Sequence, residues 1–403
     1  MRVFVVGNIN AGKSYFAEKL KSVLTNYKYL SIDSYRINYG DGSVEKEIEC
    51  RKLFAEDILK FNDSIIEFSG GETITSLFIN RLRKNSFIIF EIKEDVKVCL
   101  SRLTEKDFAK IPYPKYEEKI EDTILRLDEE FKNDVIKINF KNNYLARYEV
   151  SSGYDISKLP LKQYENAIRI ADRFDGLCKC LIAYGSLGRN ELEAYSDVDL
   201  FMVSDIDFQN ILSEIRCLFN NSEIIVQRNQ IDIFDDDQLI ELTVVNSIEE
   251  ILLYYVKSEI KDISKTILIS KGDCEEKLTS MVTNYKYDFL SEFDYTLSRL
   301  QYYSNSLKRI IKKNDLYKYY FHSNIVIHEY IKLKYYMLNK REFSYLPKYA
   351  LNFINIEEFR ILTFSVEKEM SEHQNKVAKL VDKISIEAKK YRESLVGVTN
   401  ESL

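Results

Sequence analysis

The chain has 403 residues, 45% of them hydrophobic and 30% charged, with a net charge of −6. That length supports two or three domains with real cores, and the acidic balance excludes a globally basic nucleic-acid binder while leaving local basic patches open. With 12 glycines and 4 prolines long flexible linkers are not expected; no apolar run approaches a membrane span, so a cytoplasmic protein with no membrane partner is expected.

Six cysteines sit mostly in apolar contexts, and the spacing of Cys178 and Cys180 is not that of zinc ligands. Reduced core thiols are expected. The three histidines are scattered through helical stretches.

Met1 to Val6 is a β-branched apolar run that reads as a buried parallel strand. It runs into Gly7-Asn8-Ile9-Asn10-Ala11-Gly12-Lys13-Ser14, a GxxxxGKS loop, with an amphipathic helix predicted from Tyr15 to Leu24. Backbone N–H groups of such a loop, Gly7, Asn10 and Gly12 included, cradle phosphates at a helix N-terminus. Lys13 would reach the outer phosphates of ATP or another NTP, and Ser14 would hold Mg²⁺. A strand follows at Tyr29–Asp33, with Arg36 three residues on, then a helix over Val44–Lys60. Further strands are predicted at 64–68, ending near Glu67, and at Phe87–Ile92, the latter leading into a helix through Arg102. A charged segment over Thr104–Glu118 and a helix ending near Asn133 precede a last strand, Val135–Phe140. Alternating strands and helices imply a parallel sheet covered on both faces, with its ligand edge at the strand C-termini.

This pattern resembles the small P-loop kinases: adenylate kinase, zeta-toxin-like kinases and polynucleotide kinases. The resemblance covers roughly residues 1–145. It implies that Asp33 is the general base on an acceptor hydroxyl, that Arg36 clamps an acceptor phosphate, and that Arg102 is a lid arginine on the transferring phosphoryl group. A turn ion pair is the plainer alternative for Asp33 and Arg36. Glu67 is read as a Mg²⁺ carboxylate acting through water, or else as a strand-end cap. An NTPase or sensor that gates the second half is the alternative for the whole segment.

Residues 146–160, with Ser151-Ser152-Gly153, are read as a linker. A nucleotidyltransferase domain is placed at 161–272 and a helical domain at 273–403. Leu161–Phe174 carries a helical apolar stripe. Leu181 to Val203 then gives an apolar run ending in Gly185-Ser186, a polar connection with Arg189, and a second run opening on Asp197-Val198-Asp199. Strand alternation points Asp197 and Asp199 the same way. Two adjacent carboxylates repel unless a cation lies between them, and oxygen-only ligands suit Mg²⁺. Gly185 permits close approach of backbone to phosphate, and Ser186 can donate to it.

GSLGR…YSDVDL resembles the nucleotidyltransferase signature of the DNA polymerase beta superfamily, and within it the antibiotic-modifying aminoglycoside nucleotidyltransferases. That resemblance implies transfer of a nucleoside monophosphate from an NTP to a hydroxyl, with pyrophosphate leaving. Gly185, Ser186 and Arg189 would hold the triphosphate or the leaving pyrophosphate, although a surface salt bridge is an equal reading of Arg189. A two-metal site, with ions roughly 4 Å apart, needs a third carboxylate. A hairpin over Ile231–Phe234 and Leu239–Val245, turning at Asp235–Asp237, offers Asp232 and Glu241. The segment is similar to the IDLT-type strand of aminoglycoside 6-adenylyltransferases, which favours Glu241 as base and metal ligand.

From Lys277 onward the chain reads helical, and a bundle is expected. By the same resemblance it walls a pocket for a small hydroxylated acceptor, such as an aminoglycoside-like compound. Its Tyr–Lys-rich segment over 302–338 reads as core plus solvated face, with base stacking as the alternative; RNA or a protein partner is the alternative acceptor. The overall expectation is α/β plus α+β: a P-loop parallel-sheet domain, a mixed nucleotidyltransferase sheet and a helical bundle. The sequence leaves the oligomeric state open.

Overall fold

The buried runs of the first 150 residues assemble into a five-stranded sheet: β1 (Arg2–Gly7), β2 (Lys28–Ser31), β3 (Ser64–Glu67), β4 (Phe87–Ile92) and β5 (Ala146–Val150). The order is β2-β3-β1-β4-β5, and every neighbouring pair is parallel. The computed structural model describes residues 1–103, 111–114, 119–257, 260, 262–339, 347–364 and 369–400, so most of the charged segment predicted at 104–118 lies outside the described residues. The connections are α1 (Lys13–Val23), α2 (Ile32–Tyr39), α3 (Val44–Lys60), α4 (Glu72–Thr75), α5 (Val96–Ser101), α6 (Ile120–Lys132) and α7 (Val135–Asn139). Alternation along β1 splits the core in two. Phe4 and Val6 join Phe54, Phe68, Phe78 and Phe87 on one face. Val3 and Val5 join Phe16, Leu20, Ile88 and Phe90 on the other.

Two expectations are corrected here. Val135–Phe140 is not the last strand but helix α7, and the fifth strand is Ala146–Val150, inside the stretch read as a linker. Asp134 caps α7 by accepting from Lys137 N, and Ile136 and Phe140, four apart, bury together as a helix requires. Residues 146–150 pair with β4 from Ile88↔Ala146 to Ile92↔Val150.

The second sheet contains β6 (Cys180–Ala183), β7 (Val198–Val203), β8 (Glu223–Gln227), β9 (Gln230–Asp235), β10 (Gln238–Val245) and β11 (Ile267–Ser270). Its order is β11-β6-β7-β10-β9-β8; β7 and β10 run parallel and the other pairs antiparallel. Its helices are α8 (Leu161–Phe174), α9 (Gly185–Gly188), α10 (Phe208–Leu218) and α12 (Ile263–Thr266), while α11 (Leu252–Lys257) falls almost wholly in the second of two compact units and α13 (Cys274–Asn284) runs from the first unit into the second. The predicted Gly-Ser turn is thus a single helical turn, α9.

The chain divides into two compact units, and both sheets fall in the first, Met1–Leu252 with Ile260–Ser280. The reason is α8. Tyr164, Ala167, Ile168, Ile170 and Ala171 belong to one apolar cluster that holds Val3, Val5 and Ile88 of the first sheet and Leu181, Val198 and Leu200 of the second. Polar ties reinforce the junction. Tyr148 and Tyr164 hydroxyls lie 2.7 Å apart, Arg83 pairs with Asp172 at 2.6 Å, and Asn85 donates to the Ser264 and Ile267 carbonyls. Both sheets expected as separate domains therefore share one compact unit, with continuous cores.

The second unit, Leu253–Glu259 with Met281–Leu403, is a helical bundle of α14 (Phe289–Lys312), α15 (Leu316–Asn339), α16 (Ile356–Leu362) and α17 (Met370–Asn400). Its core includes Phe293, Leu300, Leu307, Tyr330, Leu333, Tyr336 and Val381. Among the described residues no helix is long and apolar enough to cross a membrane.

Candidate functional site

The loop between β1 and α1 takes a phosphate-binding shape because its small residues allow it. Asn10 and Gly12 lie in the left-handed region, at φ 63° and 92°. Gly12 also abuts the segment after β5: a Cβ there would come within 2.6 Å of Ser152 Cβ. Lys13 Nζ donates to Asn8 O at 2.7 Å, and Ser14 Oγ donates to Glu67 Oε1 at 2.7 Å. The Tyr29 hydroxyl donates to the other Glu67 oxygen. Burial first, then the Glu67 charge, pushes the Tyr29 phenol above its ordinary value, so it stays a donor. Ser14 and Glu67 thus present oxygen donors together at the sheet's C-terminal edge, a set suited to Mg²⁺ beside a triphosphate.

A cavity of about 940 Å³ opens from this loop. Asn10, Gly12, Lys13, Ser14, Glu67, Asp33, Arg36 and Arg102 all line it, so these sequence-predicted residues converge on one space, while Gly7 lies at the end of β1 outside the lining. Asp33 is not at a strand end; it lies in the first turn of α2. Its Oδ1 accepts from Arg36 Nη1 at 2.9 Å and its Oδ2 from the Tyr113 hydroxyl at 3.1 Å. Arg36 also grips Glu47 through Nε and Nη2 at 2.9 and 2.6 Å. Glu47 takes Arg51 as well, at 2.7 Å. The guanidinium of Arg36 is therefore shared between two carboxylates, which supports the ion-pair reading over a phosphate clamp. Arg102 reaches back to the phosphate loop, donating to Asn10 O at 2.8 Å and pairing with Glu94 at 2.9 Å.

In the second sheet the strand register does the assembling. Parallel pairing of β10 with β7 places Glu241 opposite Asp199, and antiparallel pairing with β9 places Asp232 opposite Glu241. Asp199, Glu241 and Asp232 so form one row across three strands, with Glu241 in the middle. Burial, then Glu241 and Asp197, pushes the Asp199 carboxyl up to about 7; burial also raises Asp197. Among the described residues no group of three or more His, Cys, Asp or Glu is placed to hold a metal ion unaided. The donor chemistry nonetheless fits: two hydrogen-bonded carboxylates, with a third charge two residues away, gain from a cation that takes its remaining ligands from phosphates. Asp232 is partnered instead by amides. Gln227 Nε2 donates to it at 3.1 Å and Gln230 Nε2 at 2.7 Å, and the same Gln230 nitrogen reaches Glu241 Oε1 at 2.9 Å.

Gly185 is needed on two counts. Its φ is +57°, and a Cβ would fall 1.9 Å from Asp199 Oδ2. Ser186 Oγ lies 3.5 Å from Asp197 O. Arg189 is nearly buried and pairs with Glu191 at 2.8 Å, and its charge opposes the rise at Asp199.

No family model matches the chain, and no curated protein is similar to it. Among solved structures, shikimate kinase from Acinetobacter baumannii in complex with shikimate is similar over 38% of this chain and 84% of its own, at 13% identity and a TM-score of 0.28. A nucleotidyltransferase-like protein from Exiguobacterium sibiricum is similar over 60% of this chain and 80% of its own, at 10% identity and 0.30. The GLD-2/RNP-8 complex structure is similar over 56% and 77%, at 15% identity and 0.21. Likenesses this remote carry no argument about chemistry, which rests on the side chains.

Sequence reasoning missed several supporting groups. Gln163 of α8 is 3% exposed and donates to Ala194 O at 2.6 Å, with longer contacts to Glu193 O and Ser196 O. It thereby holds the loop that delivers Asp197. Asn166, one turn on, donates to Asp235 and Gln238 at the hairpin turn. Tyr113, Glu47 and Gln230 were missed too. The one available signal was polar residues at Gln163 and Asn166 inside an apolar helical stripe.

Proposed function

We propose that the chain is a transferase with two nucleotide sites. The Asp197–Asp199–Glu241 site transfers a nucleoside monophosphate, AMP by preference, from an NTP to a hydroxyl of a small acceptor. The P-loop site binds ATP and phosphorylates a related acceptor. The observation that carries the first site is the register that sets Glu241 against Asp199, with Gly185 packed on the same carboxylate.

In this reading Asp197 and Asp199, with Glu241, would hold Mg²⁺, which would supply positive charge beside the triphosphate. Glu241 accepts the acceptor's hydroxyl proton. The acceptor oxygen attacks the α-phosphorus, the α–β bridging bond breaks and pyrophosphate leaves. Gly185 and Ser186 admit the β- and γ-phosphates, and Arg189 opposes charge on the leaving group. In the first sheet Lys13 and Arg102 face the phosphates, Ser14 and Glu67 face the cation, and Asp33 receives the acceptor proton.

The continuous core supports a second reading, in which the P-loop half is an NTPase that regulates transfer onto RNA or a protein. Incubation with α- and γ-labelled ATP, Mg²⁺ and panels of aminoglycosides, other polyols, tRNA and protein separates them. The first reading expects a mass gain of one nucleoside monophosphate on a small acceptor, lost in Asp199→Asn. NTP hydrolysis with no mass gain on any acceptor would defeat both forms of transfer.

A further inference from the structure

We propose that the tip of the α14–α15 hairpin is a docking surface for single-stranded nucleic acid. Residues 313–315 join the two helices. Around them Lys308, Arg309, Lys312, Lys313 and Lys318 are all exposed, and Asp315 is the one acid between 308 and 321. The Asp315 carboxylate is turned onto backbone, accepting from Lys318 N at 3.0 Å. Among the described residues the ion pairs between these two helices, Arg299–Glu329 and Lys332–Glu292, lie further along the hairpin, as do those of Lys334 and Asp294 with other helices. Between 308 and 321 five cations stand against one acid on a chain of net charge −6, and of the exposed acids Glu369 and Glu372 that flank Met370 on the neighbouring α17, Glu372 is paired with Lys376.

The same tip displays flat aromatic rings. Tyr317 is 81% exposed, and Tyr302, Tyr320 and Phe321 are each more than half exposed. Single exposed aromatics are ordinary, but four within about three turns of one hairpin end form a patch. None of the four is needed by the core, because the inward positions are filled by other residues. Tyr319 is fully buried, donating to Met370 O at 3.0 Å and lying 2.8 Å from His373 Nδ1. His322 Nδ1 and Ser306 Oγ, 2.6 Å apart, tie the two helices together beneath the patch. The displayed rings therefore stand on a fixed support, which lowers the ordering cost of binding.

Cations that follow a phosphate backbone, interleaved with rings on which bases stack, are what a single strand requires. A membrane surface would call for a continuous aliphatic face, and Leu316 is the one exposed aliphatic residue here. An acidic peptide would use the cations but not the rings. The inference concerns binding by the helical unit and does not depend on which acceptor the nucleotidyl site modifies.

The test is fluorescence anisotropy of the full chain with a 5′-labelled 12-nucleotide single-stranded RNA, without NTP. Binding is expected at 50 mM salt and should weaken by about 100-fold at 200 mM if all five cations meet phosphates. Tyr317→Ala with Phe321→Ala should weaken it by about tenfold or more, and Lys312→Gln with Lys313→Gln and Lys318→Gln should flatten the salt dependence. These are surface changes, and melting curves confirm that the variants fold. No binding at 50 mM salt overturns the proposal. So does binding that both variants retain, or tip-dependent binding of phosphatidylserine vesicles with none of RNA.

Discussion

Gly185→Ala is the sharpest test of the carboxylate site, because stability and chemistry respond so differently to it. The added Cβ falls 1.9 Å from Asp199 Oδ2, where contacts under 3.0 Å are essentially never seen. The carboxylate must therefore retreat by about 1.1 Å, the difference of those two distances. Backbone at φ +57° costs an alanine on the order of 1–2 kcal/mol. That lowers the melting temperature by a few degrees and leaves a folded protein. A displacement of about 1 Å at a reacting centre costs about 100-fold in rate. Transfer of α-labelled NMP should thus fall by about two orders of magnitude in a variant whose melting curve is only slightly shifted. The assay is product mass or label at saturating Mg²⁺ and NTP, alongside calorimetry. A folded Gly185→Ala protein that transfers within threefold of wild type would show that Asp199 does not work where the fold holds it.

Asp199 also gives a pH prediction. Its folded-state pKa is raised from 3.8 to about 7, so the folded chain holds this proton more tightly than the unfolded chain. Its contribution to stability is full below about pH 4 and is lost as pH rises through 7. In EDTA, Asp199→Asn should therefore be more stable than wild type at pH 8.5, on the order of 2 kcal/mol, and the gap should close towards pH 5; an equal gap at both pH values refutes the burial argument. Gln163→Leu removes the donor to Ala194 O and should cost about 1–3 kcal/mol in thermal stability while reducing transfer more than NTP binding, read as kcat against KM. Gly12→Ala meets Ser152 and should weaken ATP binding at the P-loop by calorimetry, with Mg²⁺-dependent binding at the second site retained; loss at both sites together would contradict separate pockets. Glu241→Gln should abolish transfer, whereas Asp232→Asn, a residue held by two glutamines, should reduce it by tenfold or less; the reverse order would reassign the third carboxylate.

The parts legible in the sequence were those written in local spacing. GxxxxGKS and Gly-Ser…Asp-Val-Asp each declare a loop, an anchor and a charge within a few residues. The helices at Val44–Lys60 and Leu161–Phe174 run long enough for periodicity to define them. Short runs were ambiguous. Val135–Phe140 is as β-branched as many strands, and only the Asp134 cap and the four-residue spacing of Ile136 and Phe140 make it a helix. Residues 146–150 carry two charges in five positions and look like a connection until β4 pairs with them. The choice between Glu241 and Asp232 could not be made from the hairpin alone, since each faces its neighbour across it. It turns on the parallel contact of β10 with β7, made over more than 30 residues of chain. Gln163 and Tyr113 act through tertiary contacts that no motif records.

Helix α8 gives the molecule a particular grain. A fragment ending at residue 145 would lack a strand and leave the outer face of Val3, Val5 and Ile88 wet. A fragment beginning at 161 would carry a helix apolar toward a sheet that is no longer there. Neither half can be lifted out as a tool or swapped as a module without rewriting that face. Insertions should be tolerated in exposed loops elsewhere, but the ten residues from Ser151 to Pro160 are a joint rather than a tether.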